Sequence, residues 1–180
     1  MSTEKTLILV KPDGVRRQLV GEVISRIEKK GYVITAMRMM QADRALLERH
    51  YAEHQGKPFF EPLVEFMMSG PIVAIVAEGN RVIEGFRSLA GVTDPTVAAP
   101  GTIRGDLARD QGTKVVQNIV HGSDSPESAA REIEIFFGKK KKTTRGVIHE
   151  QQNVIHRPRY GCRFGYGKHI GIRTRSWHCS

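Results

Sequence analysis

The sequence predicts an α+β sandwich, a four-stranded antiparallel sheet covered by helices, with one long loop of its own. Three observations lead there. The element order reads strand, helix, strand, helical pair, strand, helix, strand, helix. It contains two strand-helix-strand units, whose right-handed crossovers bring the strands into one sheet. And Gly91 to about Lys114 carries Pro95, Pro100, Gly101, Gly105 and Gly112, a mostly irregular loop of a length that is functional when it occurs in a compact domain. The ferredoxin-like arrangement is the simplest solution, and no solenoid repeat competes with it.

Each element has its own signal. Thr6-Leu7-Ile8-Leu9-Val10 is β-branched and apolar and is ended by Pro12 and Gly14, which reads as a buried strand. Val20, Val23, Ile24 and Ile27 follow at helical spacing, with Gly31 as the stop. Tyr32 to Met40 reads as the second strand. Asp43 is the N-cap of a helix expected to run to about His54, and a second short helix spans about Phe60 to Met68, ended by Gly70. Ile72 to Ala77 is the third strand. Arg81 to Ala90 has Val82, Ile83, Phe86 and Leu89 at helical spacing. Val115 to Val120 is expected as the fourth strand. Ser125-Pro126 opens a last helix to about Phe137, with proline in the first turn.

Charge divides the chain. The whole sequence is formally +9, but residues 139–180 hold eleven Lys/Arg and one acid, Glu150, so residues 1–138 are left at −1. Basic character, and with it any affinity for nucleic acid, belongs to the tail. Two regions are expected: a domain over 1–138 and a basic, disordered extension over 139–180. The longest apolar run, Ile72 to Ala77, is far too short for a membrane span, and no signal-peptide pattern opens the chain. Cys162 and Cys179, the only cysteines, lie in the tail. A domain free of disulfides suits a reducing cytoplasm.

The common phosphate-binding motifs are missing. There is no Gly-x-x-x-x-Gly-Lys-[Ser/Thr], and no Gly-x-Gly-x-x-Gly follows a strand. His121 is the most informative single residue. It ends the fourth strand and is followed by Gly122-Ser123-Asp124 just before a helix N-terminus, where anions are favoured. A neutral imidazole there is a nucleophile at pH 7; a turn histidine packed on its neighbours is the plainer reading. Lys11, directly after the first strand, can meet a phosphate as a point charge or be an ordinary solvated lysine. Arg87 and Arg104, taken singly, are more often surface charges than ligands, and Glu132 more often a solvated helix face than a partner for a histidine. His50 and His54 stand at i, i+4, but Glu53 is misplaced for a His-Glu-x-x-His metal site, so a half-buried helix face is expected. Tyr51 and Phe59 are expected in the core.

Together these residues resemble the nucleoside diphosphate kinase family. Seven segments carry the resemblance, in the family's order. They are Thr6 to Val15, Arg49-His50-Tyr51, Lys57-Pro58-Phe59-Phe60, Met68-Ser69-Gly70-Pro71, Gly91-Val92-Thr93-Asp94-Pro95, Pro100 to Asp106 and Asn118 to Ser125. The last, with its histidine, is the most specific. The resemblance implies γ-phosphate transfer from a nucleoside triphosphate to a nucleoside diphosphate, ping-pong, through a phosphohistidine. By motif, His121 would be the nucleophile, Glu132 would fix its tautomer and Ser123 would support the pair. Lys11 and Tyr51 would reach the transferred phosphate. Arg87, Thr93 and Arg104 would hold the other phosphates, Phe59 would stack on the base and Asn118 would contact the sugar. Magnesium (Mg2+) would bridge phosphates, and the chain would form a homo-oligomer, a hexamer or tetramer. Two features depart from the family's pattern. Arg104 to Asn118 is a few residues longer, around Asp110 to Val116, and 43 residues follow Phe137. In that tail, Lys139 to Lys142 and the Arg, Gly and aromatic residues after it fit an arm for nucleic acid. His156, Cys162, His169, His178 and Cys179 show no standard zinc spacing.

Overall fold

The computed structural model describes residues 3–138. The expectations for the basic tail, including its disorder, its nucleic-acid arm and its Cys/His set, lie outside the described residues. The elements run β1 (Glu4–Val10), α1 (Pro12–Arg16), α2 (Val20–Lys29), β2 (Val33–Met40), α3 (Arg44–His50), a 3-10 turn (Ala52–His54), α4 (Phe60–Met68), β3 (Ile72–Gly79), α5 (Val82–Ala90), α6 (Ile103–Leu107), β4 (Val120–Gly122) and α7 (Pro126–Phe137). The strands form one sheet in the order β2-β3-β1-β4, antiparallel throughout.

The central strands are apolar along their length because both faces of the sheet are covered. Alternate residues of a strand point to opposite faces. Leu7 and Leu9 of β1 join Ile72 and Ala74 of β3 in one core, closed by Leu46 and Leu47 of α3, Val64 and Met67 of α4 and Phe136 of α7. Ile8 and Val10 join Val73, Ile75 and Ala77 in the other, closed by Val23 and Ile27 of α2 and Val82, Ile83 and Phe86 of α5. The edge strand β2 is covered less. Val33, Met37 and Met39 are 63%, 55% and 60% exposed.

Helix ends follow their caps. The Asp43 carboxylate accepts the Leu46 N–H at 2.8 Å, and the Ser125 hydroxyl accepts the Ser128 N–H at 3.1 Å. Four expectations need correction. The α3 helix stops at His50, because Tyr51 is its C-cap and the chain tightens into the 3-10 turn. Pro12 and Gly14 do not simply end the first strand. Pro12 opens α1 at N1, the helical position where its missing N–H costs nothing. The long loop contains α6, whose N-cap Thr102 accepts the Gly105 N–H at 3.0 Å. The fourth strand starts at Val120 rather than Val115. Ile119 takes φ +70°, which turns the chain out of strand geometry just before the pairing begins, and Val116 is left 38% exposed.

Registry then decides what the short strand offers. His121 sits opposite Leu9, so its side chain belongs to the α3 and α7 face. Gly122 points the other way, where an added Cβ would lie 2.6 Å from Phe86 Cδ1, a fully buried ring. Gly122→Ala should therefore lose about 1–3 kcal/mol of stability by overpacking. Urea unfolding measures this, and an unchanged midpoint would show that α5 yields to the added methyl.

Candidate active site

A cavity of about 910 Å³ opens where β1, β4, α3, α5 and α7 converge. Of the residues predicted from sequence, Lys11, Tyr51, Phe59, Arg87, Thr93, Arg104, Asn118, His121 and Glu132 all line it. Ser123 is buried behind them.

The innermost group is a histidine held by a carboxylate. His121 Nε2 lies 3.2 Å from both Oε1 and Oε2 of Glu132. A carboxylate only accepts, so Nε2 carries the ring proton and Nδ1 the lone pair. The His121 side chain is 25% exposed, open to the cavity. Glu132 is buried, against its expectation as a solvated helix face. Helix α7 packs along β1 and against α3 and turns that residue inward. Ser123 Oγ donates to Glu132 Oε2 at 2.7 Å and accepts the Leu7 N–H at 3.1 Å, which ties the carboxylate to β1. Burial alone would raise the pKa of Glu132. The hydrogen bond and charge of His121, with smaller contributions from His50 and Ser123, outweigh burial and hold the carboxyl below its ordinary value.

Cations and uncharged side chains make up most of the rest of the wall. Lys11 is buried, and Nζ donates to Asn118 Oδ1 at 2.7 Å. Burial, then the charge of Arg104, lowers its pKa to about 8 against the smaller opposing effect of Asp13. Arg104 spends two nitrogens on the backbone, Nη1 on the Gly91 carbonyl at 2.6 Å and Nη2 on the Val120 carbonyl at 2.8 Å. Its pKa falls to about 10, first from burial and then from Arg87. Asn118 is a bracket between segments, since Nδ2 also donates to the Thr93 carbonyl at 2.7 Å. Arg87 and Thr93 are exposed at the cavity rim. Phe59 is 42% exposed, so it is not core, and Lys57 Nζ lies 5.8 Å from its ring centroid. Tyr51 is buried, and burial, then the Glu132 charge, raises its pKa and keeps the phenol protonated. The longer segment borders the site as its position suggested: Lys114, Val115 and Val116 reach the cavity wall.

Sequence reasoning assigned no site role to two residues of this region. Asp13 is buried in α1, and Oδ2 accepts the Ile119 N–H at 3.0 Å. His50 is 4% exposed, not half-buried, and its ring centroid is 4.8 Å from that of His121. Both belong to quoted motifs, but only the tertiary fold gives them partners.

Cavity and cations together suit a phosphate-bearing ligand beside a nucleophilic imidazole. Comparison with known proteins makes the class particular. A model of the family "Nucleoside diphosphate kinase" matches residues 4–142. Nucleoside diphosphate kinase of Streptomyces avermitilis is 61% identical over 136 residues, covering 75% of this chain and 96% of that protein. The enzyme of that name from Thermobifida fusca is 62% identical over 134 residues, covering 74% and 96%. Among solved structures, a halophilic nucleoside diphosphate kinase from Halobacterium salinarum in complex with CDP is 45% identical with a TM-score of 0.71, covering 77% of this chain and 90% of that one. An apo nucleoside diphosphate kinase from Encephalitozoon cuniculi is 40% identical, also at 0.71, covering 76% and 90%. The chain belongs to the nucleoside diphosphate kinase family.

The buried imidazole of His50 makes stability depend on pH. Burial, then the charge of His121, lowers its pKa from 6.5 to about 3. The unfolded chain takes up a proton near 6.5 that the folded chain refuses until about 3. Stability contributed by this residue is therefore intact above pH 6.5 and falls as pH is lowered toward 3. Urea midpoints at pH 7 and pH 5 should differ less in His50→Phe than in the wild type, and an equal difference in both would overturn the assignment.

Proposed function

We propose that His121 carries a phosphoryl group between a nucleoside triphosphate and a nucleoside diphosphate in a ping-pong cycle. The observation that carries this reading is the pairing of His121 Nε2 with the Glu132 carboxylate at 3.2 Å, which leaves Nδ1 with its lone pair beside the cavity. In the first half-reaction Nδ1 attacks the γ-phosphorus. The bond from that phosphorus to the bridging oxygen breaks, and its electron pair leaves on the nucleoside diphosphate. The proton stays on Nε2, where Glu132 offsets the imidazolium charge. In the second half-reaction a terminal oxygen of an acceptor diphosphate attacks the same phosphorus, and the N–P bond breaks.

The remaining residues serve position and charge, which is most of what phosphoryl transfer asks of a protein. Lys11 supplies a cation and Tyr51 a neutral hydroxyl to the transferred group. Arg87, Thr93 and Arg104 take the other phosphates. Phe59 stacks on the base, which makes the site tolerant because every base has a π-face. Asn118 meets the sugar, and Ser123 holds Glu132 in place. A magnesium ion carried by the nucleotide would neutralise phosphate charge. The fit is to a phosphate-borne ion, because cations outnumber carboxylates on the cavity wall and, among the described residues, the cluster of possible ligands there is rich in nitrogen, whereas magnesium prefers oxygen.

The working protein is a homo-oligomer in the cytoplasm, with residues 1–138 as the catalytic domain and 139–180 as a basic extension. Support for assembly is the exposed apolar row Val33, Met37 and Met39 on the edge of the sheet. Among the described residues, no helix is long and apolar enough to cross a membrane.

Incubation with γ-labelled ATP should give acid-labile, alkali-stable label on the wild type and none on His121→Ala; equal label on both would sink the phosphohistidine. Because Lys11 is a cation below about pH 8 and loses its charge above it, kcat/KM should fall above pH 8. Lys11→Arg, which stays charged, should shift that fall to higher pH, and an unshifted profile would remove Lys11 from phosphate binding.

A further inference from the structure

A second imidazole beside His121 has no part in phosphoryl transfer. His50, the last residue of α3, is 4% exposed, and neither ring nitrogen has a hydrogen-bond partner. An unpaired polar group in such a place costs free energy, so its persistence needs a reason. Its ring stands edge-on to His121, with planes at 86°. Its Nδ1 lies 3.6 Å from Glu132 Oε1, and that oxygen lies 3.2 Å from His121 Nε2. One donor atom from each of the three residues can be chosen so that all lie within 4.8 Å of one another. The three come from α3, β4 and α7, and all reach the cavity wall.

We propose that His50, His121 and Glu132 form a binding site for one divalent transition-metal ion of the zinc type, and that its occupancy silences His121. Two neutral imidazoles and one carboxylate are a set such ions take, with the fourth position left to water from the cavity. Ligand bonds of about 2.0–2.2 Å in a tetrahedron put donor atoms roughly 3.2–3.6 Å apart. The recorded separations of 3.2 and 3.6 Å already match for two of the three pairs. The carboxylate offsets one of the two charges. Magnesium, which seeks oxygen in an octahedron, finds little here.

Silencing follows from the tautomer. With Glu132 accepting from Nε2–H, the lone pair lies on Nδ1. A metal on Nε2 requires the lone pair there, so the single ring proton moves to Nδ1. No proton is lost, but the attacking atom is now an N–H. This half rests on His121 being the phosphorylated residue. Metal binding does not.

The test titrates the full-length protein with Zn2+ against a chromophoric chelator, and with Co2+ while recording visible absorption. Wild type is compared with His50→Phe, which keeps a ring in the pocket, and with His50→Ala, both checked by circular dichroism. The tail's cysteines and histidines are the same in every form, so the difference isolates this site. The expected result is one tight ion fewer per chain in both variants and weaker four-coordinate cobalt bands. Equal stoichiometry and spectra in all three would overturn the site. X-ray absorption at the zinc edge of the wild type gives a reading that needs no variant: a coordination sphere that lacks paired imidazoles at one equivalent also overturns it. With γ-labelled ATP, Zn2+ should cut wild-type label at least tenfold, with recovery on adding chelator. Label that persists with the ion bound overturns the silencing alone. Absence of label without Zn2+ is failure of the phosphohistidine reading instead, and leaves the binding result standing.

Discussion

The backbone of Ile119 is the constraint on which the site depends. A β-branched residue at φ +70° is costly, and it persists only where its surroundings over-determine it. Here they do. The Asp13 carboxylate accepts its N–H at 3.0 Å, and the Lys11 N–H donates to its carbonyl at 2.8 Å. Its side chain is fully buried, and Gly14 makes room for it, since a Cβ there would come within 2.8 Å of Val10 Cγ1 and 3.0 Å of Ile119 Cγ2. Thus Lys11, Asp13 and Gly14 act on the far end of the chain. They clamp one residue, and on either side of it Asn118 is delivered to Lys11 and His121 to the position opposite Leu9. The run Lys11-Pro12-Asp13-Gly14 is as much a backbone clamp as a source of charge.

Electrostatics builds on that clamp. The site pairs the buried anion Glu132 with His121 and Ser123, and leaves its cations short of counter-charge. Lys11 has only a neutral amide oxygen on Nζ, and Arg104 has two backbone carbonyls and an unpaired Nε. The lowered pKa values of both record the same fact: in the free protein these charges are poorly solvated. Phosphate oxygens held there, as proposed, would supply what is missing, and binding would relieve a desolvation cost already incurred in folding. Arg104 has a second role, because its grip on Gly91 and Val120 joins the long loop to β4.

Legibility in the sequence divides along the same line. Elements with local signals were readable: the apolar strands, the Asp43 and Ser125 caps, and the helical spacing of Val82, Ile83 and Phe86. So were the residues that line the cavity, once their motifs were taken together. Three things were not. The apolar run before Val120 looked like strand, but the Ile119 turn is imposed by a side chain more than a hundred residues away. Glu132 looked like a solvated helix position, because no local pattern says which face of α7 meets β1. His50 looked like one member of a weak i, i+4 pair. Its true neighbours are His121, at 4.8 Å between ring centroids, and Phe136, at 5.2 Å. In each case the deciding partner is distant in sequence.

The cluster around His121 therefore faces two kinds of ligand through one opening. Lys11, Arg87 and Arg104 line that opening, and their fields favour phosphates and oppose a free dication. A magnesium ion bound to a nucleotide would come with its charge already outweighed, so the same field would admit it. A bare transition-metal ion meets the opposition and must overcome it with bonds to nitrogen. Nucleotide and metal also make opposite demands on one ring, since attack requires the lone pair on Nδ1 and ligation by Nε2 requires it on the other side. The hydrogen bond from Nε2 to Glu132 favours the first state, and a bound ion that claims the same carboxylate removes that preference. Attack by Nδ1 and ligation of an ion by Nε2 thus exclude one another for a chemical reason.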